Sequence, residues 1–88
     1  MAFKKGQKVA KVIMGGGYKT VSFNHTIDKV GRVVEIEGSI LMYNKKTGEE
    51  LEAVIPGFSS RITSYENAVA MVKAGEWALD GDQVLPKL

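Results

Sequence analysis

Five short apolar stretches, spaced by about ten residues and separated by glycine- or asparagine-bearing turns, occupy the first two thirds of this chain. Strands are the elements of that length, and short turns between them permit antiparallel neighbours. Gln7 to Met14 reads as a first strand, with Val9, Val12 and Ile13 set among lysines. Gly15, Gly16 and Gly17 follow; glycine takes positive φ without steric penalty, so the chain reverses there. Tyr18 to His25 alternates Val21 and Phe23 against Thr20, Ser22 and Asn24, the pattern of a half-buried strand. A third stretch, Ile27 to Glu37, carries Val30, Val34 and Ile36 in period two, and Gly31 within it predicts a bulge or sharp bend. Glu37-Gly38-Ser39 turns into a fourth strand, Ile40 to Tyr43. Asn44 to Gly48 forms a hairpin loop, Glu49 to Ile55 a fifth strand, and Pro56-Gly57 ends it.

One helix follows. Thr63 and Glu66 have capping-box spacing, Tyr65, Ala68, Val69 and Val72 form an apolar stripe, and Gly75 stands where a C-terminal cap belongs. A helix of about ten residues does not persist alone in water, so it must dock, and an open end of a barrel is the expected place. The expectation is a mainly β protein: a small antiparallel barrel of about five strands with one C-terminal α-helix. As a single domain over residues 1–88 it divides into a barrel (1–57), a helix (63–75) and a tail (76–88) packing on the barrel. The expected core is Val9, Val12, Val21, Phe23, Val30, Val34, Ile36, Leu41, Val54, Ile55, Ala68, Val69, Val72 and Trp77. If Trp77 anchors the helix, its removal costs about 3–5 kcal/mol.

At 88 residues the core is thin, and the chain has no cysteine, hence no disulfide framework and no thiolate metal site. No apolar run approaches the ~20 residues that cross a bilayer, and Met1 leads straight into a strand-like pattern, so a soluble cytoplasmic protein without a membrane partner is expected. Sites for chemistry are few. His25 is the sole histidine, which excludes a two-histidine metal site. Beside Thr26 and Asp28 it has the neighbours of a general base, but a polar residue at a strand end is the reading its context favours. Gly15–Gly17 lack the lysine and hydroxyl residue of a phosphate-binding loop. Asp80-Gly81-Asp82 lacks the further oxygen ligands of a calcium loop, and Glu49, Glu50 and Glu52 read as a solvated strand edge. No catalytic residue, metal site or cofactor is expected, and the protein reads as a non-enzyme.

Charge is distributed unevenly. The first thirty-four residues hold seven basic side chains against one acid, the remaining fifty-four five against nine. A cationic region attracts an anionic partner, most commonly nucleic acid. The candidate contacts are Lys8, Lys11, Lys19, Lys29 and Arg32, joined by Tyr18, an aromatic residue emerging from a glycine turn among lysines, as on surfaces that stack bases. In flat strands Lys8 and Lys11, and likewise Lys29 and Arg32, point to opposite faces.

The opening Phe3-Lys4-Lys5-Gly6-Gln7-Lys8-Val9 resembles the first strand of SH3-like barrels. Lys29-Val30-Gly31-Arg32-Val33, with Ile36 and Leu41, is similar to the KOW motif of ribosomal and transcription-elongation proteins. That resemblance implies an SH3-like barrel in which Lys29 and Arg32 lie against RNA or a polymerase. In size and style the whole chain also resembles small cysteine-free accessory proteins of bacteriophages, some of which inhibit a host enzyme or defence complex. Two functions follow as expectations. The first is a nucleic-acid-associated binding module using the basic N-terminal surface. The alternative is a small protein-binding inhibitor or adaptor, phage-encoded and directed at a host enzyme or defence complex, using a sheet edge or the acidic segment from Glu49 to Glu52.

Overall fold

The computed structural model describes residues 3–51 and 56–87. The first hairpin joins β1 (Lys8–Gly15) to β2 (Tyr18–Val30) through Gly16 and Gly17, with φ of 56° and 85°. Two successive positive φ values define the tight turn whose twist matches its flanking strands. Gly15 answers a different need, because a side chain there would run into the Gly57 carbonyl and Phe58.

β2 is one strand of thirteen residues, where alternation suggested two. It stays continuous by bending. Asn24, at φ 73°, is the extra residue where the β1–β2 register slips, and a second irregularity falls between Ile27 and Lys29. Gly31 is accordingly not a bulge within a strand. It sits in the turn between β2 and β3 (Val33–Ile36), where its N–H donates to the Val33 carbonyl at 3.0 Å. β4 (Met42–Asn44) pairs with β3, and the Asn44 Oδ1 atom shapes the following loop by accepting the Lys46 and Thr47 N–H groups at 2.7 and 3.0 Å.

Of the expected fifth strand, Glu49 to Ile55, only residues 49–51 are described. Residues 48–51 form only bridges, but they close the wall: Asn44 N–H donates to Glu49 O at 2.7 Å, and Glu50 N–H to Ser60 O at 3.0 Å. Residues 52–55 lie outside the described region, and with them Val54, Ile55 and Glu52. The strand on the other side of β1 is β5 (Phe58–Ser64), unmarked in the sequence because only Phe58 and Ile62 are strongly apolar in it. The strand order β4-β3-β2-β1-β5, bridged by residues 48–51, makes a nearly closed barrel of five antiparallel strands.

α1 (Tyr65–Lys73) begins one residue later than the capping-box spacing implies. Ser64 is the cap, its hydroxyl accepting the Asn67 N–H at 3.2 Å, while Thr63 Oγ1 accepts from the Asn67 side chain at 2.9 Å. The helix does not cover a barrel end. It lies on the outer wall, because β1 is apolar on both faces. Val9 points inward to Ile27, Val34, Ile36, Tyr43 and Ile62, whereas Ala10 and Val12 point outward to Val21, Phe23, Ala68 and Val69. Each half of this double core is small, and the second forms only when the helix is docked. β6 (Ala78–Leu79) then pairs in parallel with β2, and Trp77, Leu79 and Leu85 flank the outer core.

Ala10, Ile27, Tyr43 and Ile62 thus belong to the core though the pattern did not mark them. Val30 does not: at the strand tip beside the turn it is 41% exposed. Leu41, Val72 and Trp77 are half-buried packing partners of the two clusters.

Candidate nucleic-acid interface

The long strand separates the expected contacts. The contour of β2 is about 40 Å at roughly 3.3 Å per residue, with Tyr18 at one end and Lys29 near the other. At the Tyr18 end the ring is 68% exposed, and it shares the Gly16 backbone with Phe58, itself 38% exposed. Lys19, opposite Met14 in the register, lies with Nζ 5.6 Å from the centroid of the Trp77 ring, a cation–π arrangement that occupies its charge within the protein. Lys11 is opposite both Ser22 and Ile62, hence on the barrel side, and shares a cleft with Ile13, Leu41 and Phe58. Lys8 faces the other way, as parity requires, and stands opposite Thr26 where β1 begins.

The far end collects a different set. Lys29 stands opposite Glu35 in the β2–β3 register. Arg32 occupies the β2–β3 turn, and because Val33 is registered with Asn44, that turn stands beside the loop after β4. Arg32, Lys45 and Lys46 therefore line one shallow cleft of about 270 Å³ with Asn44 and Leu51, and among the described residues no carboxylate lines it. The N-terminal turn reaches the middle of β2, with Gly6 N–H donating to Ile27 O at 2.8 Å, so Lys4 and Lys5 enter near Lys8. Of the six expected contacts, Tyr18 and Lys19 are neighbours at one end. Lys29 and Arg32 lie at the other, while Lys8 and Lys11 point to opposite faces between them. They do not form one face. Lys45 and Lys46 escaped sequence reasoning because they sit in a hairpin loop thirteen residues from Arg32, and only the strand register brings them together.

The polar groups around the Asn24 bulge form a second constellation. Ser22 Oγ lies 3.0 Å from His25 Nε2, a nucleophile–base spacing, but Ser22 is 8% exposed and Gln83 Nε2 already donates to it at 3.3 Å. The pair is built as a hydrogen-bond relay and not as an open nucleophile. Burial holds the His25 pKa below its ordinary value; Lys11 pushes it the same way and Asp80 opposes. Inside the barrel Ser60 Oγ donates to Glu50 Oε2 at 2.5 Å. Glu49 and Glu50 are not a free sheet edge, since they bridge β4 and β5. Asp80-Gly81-Asp82 is a surface turn in which Gln83 N–H donates to the Asp80 carbonyl at 3.2 Å.

The fold defines a small β-barrel with a helix on its outer wall. No family model, curated protein or solved structure matches this chain.

Proposed function

We propose that the protein is a non-enzymatic, nucleic-acid-associated binding module that engages phosphates with the barrel end bearing Arg32, Lys45 and Lys46. One observation carries this reading: three cations line a single cleft whose described lining holds no acid. Arg32 supplies a planar donor fork suited to phosphate, and the two lysines supply flexible point charges. Lys8, Lys29, Lys4 and Lys5 extend the cationic surface along the adjoining strand. The SH3-like assignment of the barrel, its KOW-type hairpin with Lys29 and Arg32 against the polymer, and a cytoplasmic setting belong to the same proposal.

Binding of short random single- and double-stranded oligonucleotides across a salt series tests it. Each neutralised phosphate contributes a slope of about −0.7 to −0.9 in log K against log salt, so three contacts predict a slope between about −2 and −3. Replacing Arg32, Lys45 and Lys46 with alanine flattens that slope by about 2 units. Absence of binding at low salt, or an unchanged slope in the triple variant, overturns the assignment.

The opposite end favours a second reading, a protein-binding inhibitor or adaptor of phage type. Tyr18 is 68%, Met14 47% and Phe58, opposite Gly15, 38% exposed, a density of apolar side chains beyond what an isolated surface requires. A complex of fixed stoichiometry with one bacterial protein, stable in high salt and lost on Tyr18→Ser, supports that alternative.

A further inference from the structure

The C-terminal segment is tied to β2 by a chain of hydrogen bonds that passes through a titratable group. Asp80 N–H donates to the Val21 carbonyl at 2.9 Å, extending the β6 pairing by one bond. Beyond it the backbone leaves the strand, and the side chain of Gln83 takes over. Its Oε1 accepts the Phe23 N–H at 2.6 Å, and its Nε2 donates to the Phe23 carbonyl and to Ser22 Oγ, both at 3.3 Å. The amide thereby imitates a paired strand residue at the point where the Asn24 bulge ends regular pairing. The next donor along β2, Asn24 N–H, is taken by the Tyr65 hydroxyl at 2.9 Å, so helix and tail together satisfy the exposed edge of the bulge.

Ser22 is the hinge of this arrangement because its single hydroxyl proton can point in one direction only. With Gln83 donating to Ser22 Oγ, that proton is free for His25 Nε2, 3.0 Å away, provided the nitrogen carries a lone pair. A proton on Nε2 reverses the contact. His25 then donates to the oxygen that Gln83 also donates to, and the Ser22 proton loses its acceptor. The surroundings set the bias. Lys11 faces His25 from β1, Asp80 from the C-terminal segment, and α1 contributes the phenol of Tyr65 at the neighbouring amide.

We propose that Gln83, Ser22 and His25 form a proton-operated latch that holds the C-terminal segment on β2 and loosens it on acidification, uncovering the strand edge at Phe23. This inference is independent of the nucleic-acid reading. The sign follows from the environment. Burial, and next Lys11, depress the His25 pKa in the folded protein, so the stabilisation from its neutral ring is present above the ordinary value of 6.5 and is lost as pH falls through the folded value.

Amide hydrogen exchange of the full chain, followed by NMR while the His25 ring signals report its titration, tests the latch. The Ile62 N–H, bonded to Gly48 O at 2.8 Å, serves as the barrel reference. Protection of the Phe23 and Asp80 amides is expected to fall about tenfold relative to Ile62 as His25 gains its proton, the equivalent of one lost hydrogen bond. His25→Gln is expected to abolish the pH dependence, and Gln83→Ala to leave Phe23 weakly protected at every pH. If Phe23 and Ile62 lose protection in parallel, or if Phe23 stays protected through the whole titration, the latch does not exist. The wild-type titration decides this even if either variant fails to fold.

Discussion

Replacing Tyr43 with phenylalanine is expected to stabilise the protein, against the usual direction of a core substitution. Tyr43 has no exposed surface, and its hydroxyl is a buried polar atom without a hydrogen-bond partner among the described residues. Ser60 lies near enough to draw its pKa downward, yet no hydrogen bond of acceptable geometry joins them, and the Ser60 proton is committed to Glu50. A buried donor left unpaired costs about 1–3 kcal/mol. Deleting one oxygen leaves a void of roughly 10–15 Å³, which at about 24 cal/mol per Å³ returns only about 0.3 kcal/mol. The net expectation is a gain of about 1 kcal/mol, or about 4–8 °C in Tm for a domain of this size. Urea denaturation followed by circular dichroism measures it, with an unchanged m-value confirming that the unfolded reference has not moved. The variant also separates an alkaline effect. Burial raises the Tyr43 pKa above its ordinary 10.0, Glu50 adds to the rise, and Ser60 opposes it. The fold therefore favours the neutral phenol, and that contribution is intact below pH 10 and lost as pH climbs through the folded value. The phenylalanine variant lacks this loss. A Tyr43→Phe protein less stable than the parent by about 1 kcal/mol would mean that the hydroxyl is satisfied after all, and Ser60→Ala in a double-mutant cycle would then identify its partner.

Two further substitutions probe how the fold is held. Gly48→Ala places a side chain against the Ile62 carbonyl at φ 79° and is expected to cost more than about 3 kcal/mol, whereas Gly17→Ala, at φ 85° in open space, costs about 1 kcal/mol. Equal denaturation midpoints for the two would refute the close approach at Gly48. Trp77→Ala is expected to cost about 2 kcal/mol and not the 3–5 kcal/mol of a fully buried indole, because the ring is half-buried and covered on one side by Lys19. A melting temperature equal to that of the parent would remove Trp77 from the outer core altogether.

Local chemistry made the hairpins legible. Gly15 to Gly17, Gly38 and Gly48 mark reversals wherever they stand, since positive φ is intrinsic to the residue and needs no partner. The helix was legible for a similar reason, its apolar stripe and terminal residues being short-range signals, although two adjacent hydroxyl residues left its cap ambiguous by one position. β5 was not. In Phe58–Ser64 the inward positions include Ser60, only 9% exposed and satisfied by Glu50, which accepts its proton, and no hydropathy pattern encodes a partner ten residues away. The candidate site divides in the same way. Arg32 stood out by its charge beside a glycine, while Lys45 and Lys46 acquired meaning only through the registration of Val33 with Asn44.

The amino-acid order by itself determined the class of the protein, its turns and its unequal charge, because each rests on contacts within a few residues. Only the tertiary structure decided which face of β1 is inside, where the helix rests and which cations share a cleft. A strand that is apolar on both sides carries no local instruction for choosing between two cores. Charges far apart in the chain become neighbours only when the ladder between their strands has set its register.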